Sequence, residues 1–477
     1  MRITRSATLA ATLAATLAVA LFATAAHAQP APRDSLREAR EILREVININ
    51  STSGTKGVYH LATRVAARLR AAGYAAGDVQ LLGPSPELTA VVVRLRGRAS
   101  GRKPILLMAH MDVVAARRSD WPFDPFVMLE RDGWYYGRGT SDNKAGVATL
   151  VTNLVRWKRE RWVPDRDVIT VLTADEETNG ASMAWLLAHV PTLREAEYAL
   201  NTDAGGGALD HGKPVSNAVQ AAEKVFANFR VVATNPGGHS SVPRADHAIY
   251  DLADALSRFR AHRFPIRVND VVRGYFAQSA ATQTPEVAAL MRAAAAQPTD
   301  LAATEQLAAR NPYWNSIMRT TCVATLLDGG HAENALPQRA SALINCRMLP
   351  ADPADSVLTV LRSALGAGVT VAQEGVVTPS PASPLRADVM GVVERLTTAR
   401  FPGAVVVPEM SAGATDGLFT RNAGIPTYAV SSIFFEQGEP SREHGQEERV
   451  GVKAFHDGVA FWEAMVKALA GPPTIVP

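Results

Sequence analysis

His110 and Asp112 lie two residues apart at the end of an apolar run, residues 104–109. Side chains two apart on a strand point to the same side, so both can reach one spot beyond the strand's end. An imidazole that binds a metal holds its second nitrogen on an acceptor, and a nearby carboxylate does this while raising the ligand's basicity. Alone, the pair is weak evidence and reads more readily as a surface histidine beside an aspartate. A second apolar run, 167–173, leads to Asp175, Glu176 and Glu177, and a third, 197–201, leads to Asp203 and a glycine run. Consecutive acids commonly form a solvated turn. Here they follow strands that read as buried, and the carboxyl ends of such strands are where an open α/β sheet binds ligands. Three strands thus deliver His, Glu and Asp to one edge, the donor types of a nitrogen-and-oxygen metal site. Asp142 stands just before a helix, where an acid serves as an N-cap; it also suits a carboxylate placing one oxygen on each of two metals. His444, far along the chain, reads alone as a solvated histidine.

Those side chains need a scaffold that gathers distant strand ends. Residues 34–47 and 57–72 have helical periodicity, the second with Leu61, Val65, Ala66 and Leu69 on one face. Strands at 89–95, 104–109, 167–173 and 197–201 then alternate with helices at 144–157 and 181–187. Short continuous apolar strands between helices predict an α/β fold, a mostly parallel sheet flanked by helices. The pattern changes after Gly205-Gly206-Gly207. A strand from about Lys224, with Phe226, Phe229 and Val231 alternating, leads through Gly237-Gly238-His239-Ser240-Ser241 to a helix over 245–261. Strands at 319–327 and 340–348 and a further helix complete a small α+β unit. The α/β pattern resumes after a Pro/Ser stretch at 378–384, with strands near 404–408 and 427–430. The expected division is therefore 29–223 and 378–477 for the larger domain and 224–377 for the inserted unit. That unit includes an Ala-rich helical insertion at 264–315.

The first 28 residues read as an export signal: Arg2 and Arg5, an Ala/Leu-rich run from Ala7 to Ala26, and the small-x-small site Ala26-His27-Ala28. No later segment has the unbroken apolar length of a membrane span. The expected location is periplasmic or secreted, with no membrane association after signal removal. Loss of Arg2 and Arg5 lowers the formal charge of +3 by two, and a near-neutral protein gives no reason to expect a nucleic-acid partner. The two cysteines, Cys322 and Cys346, are too few for a thiolate zinc site, so any metal rests on histidine and carboxylate. If their strands pair as a hairpin centred near Asn334, the cysteines face each other. A disulfide and two packed thiols both remain open at this point.

Taken in order, HMD at 110–112, WPFDPF and GRGTSDNKAG within 121–146, DEETNG at 175–180, NTDAGGG at 201–207, GGHSS at 237–241, HAENALP at 331–337, GATDG at 413–417 and EHGQEERV at 443–450 span nearly the whole chain. This ordered set resembles the co-catalytic zinc peptidase family (clan MH metallopeptidases) that includes aminoacylase, succinyl-diaminopimelate desuccinylase and glutamate carboxypeptidase. The resemblance implies a zinc exopeptidase-like fold whose small unit is a lid and dimerisation domain. It implies two Zn2+, with Co2+ or Mn2+ as replacements, one held by His110 and Asp203, the other by Glu177 and His444, with Asp142 bridging. Asp112 would orient His110, and Glu176 would be the general base. The Asp142-Asn143 peptide would be cis. His239 would donate to the oxyanion, from the same chain after closure or from a second subunit of a homodimer.

The expected function is that of a dinuclear zinc metallopeptidase or amidohydrolase, an enzyme cleaving an amide bond beside a free carboxylate. A metal pair lowers the pKa of a water, and Glu176 would take its proton and return it to the leaving amine. Arg347 and Asn334 are candidates for the substrate carboxylate, since arginine pairs with it bidentately. Gly413 and Thr415 are candidates through backbone N–H groups of their loop. The substrate reads as a peptide, in a carboxypeptidase or dipeptidase reaction, or alternatively as an N-acyl amino acid, in an aminoacylase reaction. A zinc-dependent binding protein without turnover is the alternative of another class, and the intact Glu176 and Asp112 argue against it.

Overall fold

The computed structural model describes residues 32–440 and 442–472, so the export segment expected over 1–28 lies outside the described residues. No helix among the described residues is long and apolar enough to cross a membrane.

A ten-stranded mixed sheet forms the larger body. At its centre Val168–Thr173, Ile105–His110, Tyr198–Asn201 and Thr427–Ala429 run parallel, and Val79–Leu82 and Ala90–Leu95 add antiparallel strands at one side. Ile105–His110 and Val168–Thr173 are buried along their whole length, as strands covered on both faces must be. One face carries the helix Lys144–Arg159, which is apolar nearly all round and is sandwiched under Pro32–Ile47 and Val452–Ala470. The other face is covered by Ala181–His189 and Gly417–Asn422, with Met183, Leu186 and Ile425 packed on Ile169 and Val171. Beyond the glycine run the hairpin Gly206–Asp210 and Lys213–Glu223, which the alternation did not predict, extends this sheet.

The inserted unit is a four-stranded antiparallel sheet in the order Thr321–Gly329, Arg339–Met348, Val225–Thr234, Thr370–Glu374. Val225, Ala227, Phe229, Val231 and Ala233 alternate inward against the helices Ala248–Ala261 and Ala354–Leu365. Cys322 and Cys346 are cross-strand partners and form a disulfide, which settles the alternative left open by the hairpin reading.

One expectation needs correction. The Ala-rich insertion forms the helices Asp270–Ser279, Pro285–Ala295, Leu301–Arg310 and Pro312–Met318, but their buried apolar side chains do not join the core of the small unit. Val271, Val272, Phe276, Met291, Leu307 and Ile317 belong to the core of the larger body. Asp270–Ser279 lies against the strand Val405–Ser411 so closely that a Cβ at Gly274 would come within 2.7 Å of Pro408. Position in the chain suggested the wrong neighbour; the apolar faces of these short helices find the matching surface across the sheet edge.

Candidate metal centre and active site

The strand Ile105–His110 delivers His110, fully buried, to the carboxyl end of the sheet. Its Nδ1 donates to the backbone carbonyl of Asp112 at 3.0 Å, which leaves Nε2 facing the site. The orienting contact is thus Asp112's carbonyl; the carboxylate stands 3.4 Å from Nδ1. That carboxylate instead accepts the backbone N–H groups of Glu176 and Glu177, each at 3.1 Å, and the hydroxyl of Ser53. Asp112 therefore ties the first metal-facing strand end to the second.

His110 Nε2 lies 2.8 Å from Asp142 Oδ1 and 3.8 Å from Asp203 Oδ1. His444 Nε2 lies 3.1 Å from Asp142 Oδ2 and 2.9 Å from Glu177 Oε2. Two clusters of ligand atoms result, His110–Asp142–Asp203 and Asp142–Glu177–His444, and Asp142 faces each with a different oxygen. The Asp142-Asn143 peptide is cis. A Cβ at Gly146, in the turn that follows, would fall 2.0 Å from Asn143 Oδ1 and 2.1 Å from Thr202 Oγ1, so only glycine lets this helix start approach the strand carrying Asp203.

Glu448 was not singled out from the sequence, although it lies in a quoted motif. Fully buried, it accepts from the backbone N–H groups of Gly139, Ser141 and Asp142 at 2.9, 2.8 and 3.0 Å and from Arg138 Nη1 at 2.6 Å. A carboxylate inside a ring of N–H donors fixes a loop that has no regular structure of its own. Ser141 also donates to Glu443 at 2.7 Å, linking the residues just before Asp142 and His444.

The three consecutive acids divide their work. Asp175 is buried and caps the helix Ala181–His189, accepting from Ala181 and Ser182 backbone N–H at 2.7 and 2.9 Å. Glu177 joins His444, and its buried Oε1 has no hydrogen-bond partner among the described residues. Glu176 is half-buried on the cavity wall. Asp416, buried and bonded to the Thr173 hydroxyl, stands near it.

The electrostatics describe crowded charge. Burial and the neighbouring Asp203 raise the Glu176 carboxyl well above the usual range, and burial with Asp142 pushes Glu177 up to about 7. Burial raises Asp203 and lifts Asp416 to about 7. Burial opposes charge on His110, but Asp203, Asp112 and Asp142 outweigh it and raise its pKa, while the bond to Asp142 raises His444 to about 9. Acids made costly by one another, two imidazoles aimed among them and an orphaned Glu177 oxygen fit a pair of divalent cations, which would favour every carboxylate in its charged form.

A cavity of about 690 Å³ opens beside the cluster, lined by Glu176, Glu177 and His444 from the larger body and by Phe226, Arg347 and Val376 from the small unit. Arg347, half-buried with its guanidinium 5.0 Å from the Phe226 ring centre, has no carboxylate partner among the described residues. Neighbouring Lys224 is different: its ammonium already donates to Ser316 O, Arg319 O and Thr321 Oγ1 at 2.6, 2.8 and 3.0 Å.

The other candidate residues have partners within the fold or stand outside the cavity lining. Gly413 N–H donates to Ser411 Oγ and Thr415 N–H to Glu223, both at 3.1 Å, so these groups serve the loop's own fold, although both residues line the cavity. A carboxylate buried at Glu223 needs donors, and Thr415 supplies two of them through its backbone N–H and its hydroxyl. His239 and Asn334 are exposed and outside the lining. They lie at a two-stranded ribbon, where His239 pairs with Ala335 and Asn334 O accepts from Ser240.

Comparison with known proteins agrees with this arrangement. A family model described as peptidase family M20/M25/M40 matches residues 106–468. The human N-fatty-acyl-amino acid synthase/hydrolase PM20D1 is 29% identical over 376 residues, 77% of this chain and 74% of that protein. A probable carboxypeptidase S-like 2 of Dictyostelium discoideum is 24% identical over 387 residues, 79% of this chain and 74% of that protein. Among solved structures, the M20 family metallo-carboxypeptidase Sso-CP2 from Sulfolobus solfataricus shares the fold with a TM-score of 0.66 at 18% identity, covering 91% of this chain and 99% of that one. With the match spanning both parts of the larger body and the unit between them, the chain belongs to peptidase family M20/M25/M40 and is a metal-dependent amide hydrolase.

Proposed function

We propose that this enzyme cleaves an amide bond whose amine side carries a free carboxylate. The observation behind this reading is Arg347, which has no carboxylate partner among the described residues and lines the same cavity as Glu176 and Glu177. A substrate carboxylate seated on its guanidinium would place the adjacent amide toward the paired clusters. His110 with Asp203 and Glu177 with His444 would hold two divalent cations, Asp142 one oxygen on each; zinc suits these donors, with cobalt or manganese as substitutes. When bound, such ions polarise the scissile carbonyl and acidify water. Glu176, held on the wall by its own backbone bond to Asp112 and that of Glu177, takes the proton and hands it to the leaving nitrogen.

Peptide and N-acyl amino acid substrates both meet this description. The apolar wall of Phe226, Val376, Leu418 and Phe419 favours an N-acyl amino acid with an apolar chain, in keeping with the human relative, an N-fatty-acyl-amino acid synthase/hydrolase. His239 would complete the site after closure of the small unit or from a second copy. The edge strand Thr321–Gly329, with Val323, Leu326 and Leu327 exposed, is a surface through which two copies would pair. The Cys322–Cys346 disulfide and the N-terminal sequence support export to an oxidising compartment.

The test compares an N-acyl amino acid with its C-terminal methylamide on the zinc-loaded protein, with Arg347→Ala beside it. The free acid should be preferred by about 10²-fold through KM, and Arg347→Ala should remove the preference. Equal rates on acid and amide would overturn the carboxylate reading.

A further inference from the structure

The chain passes between the two sheets twice, and one buried carboxylate touches both passages. Glu223 ends the strand Lys213–Glu223 of the large sheet, and Val225–Thr234 of the small sheet begins two residues later. The return passage runs by Ser380, whose hydroxyl donates to Glu223 Oε1 at 2.7 Å. Glu223 Oε2 accepts both the backbone N–H and the hydroxyl of Thr415 at 3.1 Å. Arg421 Nη1 lies 3.1 Å from Oε1, and Gln220 Nε2 lies 3.4 Å from Oε2. All of these side chains are buried.

A buried ion pair is a poor source of net stability, because desolvation offsets the attraction. What the carboxylate at Glu223 does supply is geometry, since each of its oxygens holds a different segment. The first passage leads to Phe226, which pairs in register with Arg347. The Thr415 loop continues into Asp416, which grips Thr173 at the end of the strand before Glu176. The separation between the Arg347 guanidinium and the Glu176 carboxylate is therefore transmitted through the bonds that Glu223 makes.

We infer that Glu223 is a positioning residue: by locking both inter-sheet passages to the Thr415 loop, it sets the span between the carboxylate-binding Arg347 and the proton-transferring Glu176. This rests on the carboxylate reading above.

The experiment measures kcat and KM for the same N-acyl amino acid and its methylamide on zinc-loaded wild type, Glu223→Gln and Ser380→Ala, with metal content and melting temperature recorded. A shifted span harms only the substrate anchored at both ends. The acid-to-amide ratio of kcat/KM should fall about tenfold in both variants, mainly through KM for the acid. Ser380→Ala removes a single hydroxyl and decides the matter if Glu223→Gln fails to fold. An unchanged ratio, or equal loss on both substrates, overturns the positioning role while leaving the carboxylate reading intact. A wild type indifferent to the carboxylate instead overturns that reading and this one with it.

Discussion

The carboxyl end of the large sheet and the face that the small unit turns toward it are built on different terms. At the sheet end the functional groups are held by buried, multiply bonded carboxylates: Asp112 grips the Glu176 and Glu177 backbone, and Glu448 grips the loop before Asp142. On the small unit Arg347 has one ring beneath it, and His239 is exposed. Groups that, on the proposed reading, hold cations and move a proton are fixed before substrate arrives. Groups that must meet substrate stand on a separate body whose position relative to the metal centre decides the fit.

That contrast predicts different penalties at the two faces. The largest is at the proton carrier: Glu176→Gln should lower kcat by about 10² to 10⁴ with metal content unchanged, as measured by turnover beside metal analysis. Activity near that of wild type would remove Glu176 from its role. Next comes the support of the centre. Glu448→Gln leaves Arg138 without its charged partner and weakens the grip on the Asp142 loop, so metal affinity should fall about 10- to 100-fold in a chelator competition. Unaltered affinity would mean that the loop holds its shape without Glu448. The smallest effect on catalysis belongs to the far side of the small sheet. Replacing Cys322 and Cys346 by Ser should cost about 2 to 4 kcal/mol of stability in denaturant unfolding, with the metal centre intact. A loss of bound metal in that variant would show the two bodies to be coupled more tightly than the contrast allows.

Much of the centre was legible because its ligands follow buried strands, and strand ends announce themselves as apolar runs stopping at acids or histidine. His110, Glu177 and Asp203 are of this kind. Asp142 and His444 lie in loops, where the residue alone reads as a cap or a solvated side chain; the ordered set of motifs is what singled them out. Glu448 escaped because a glutamate in a charged stretch looks solvent-facing, and Glu223 because a Glu-Lys pair at a strand end reads as a surface turn; only the fold reveals the donors around each. The misplaced 264–315 helices went wrong for a related reason: amphipathic periodicity says that a face is buried, but not against which body.

The order of residue types along the chain determined the alternating strands and helices and the donor chemistry at the strand ends, because local periodicity and donor identity are properties of short segments. Tertiary structure alone decided that Asp142 faces both imidazoles, that Arg347 lacks a carboxylate partner among the described residues while Lys224 is saturated, and that Glu223 joins both passages between the sheets. Those are relations among residues separated by tens to hundreds of positions. Such relations depend on which bodies pack together and on which buried polar group claims which donor, and no local pattern encodes that.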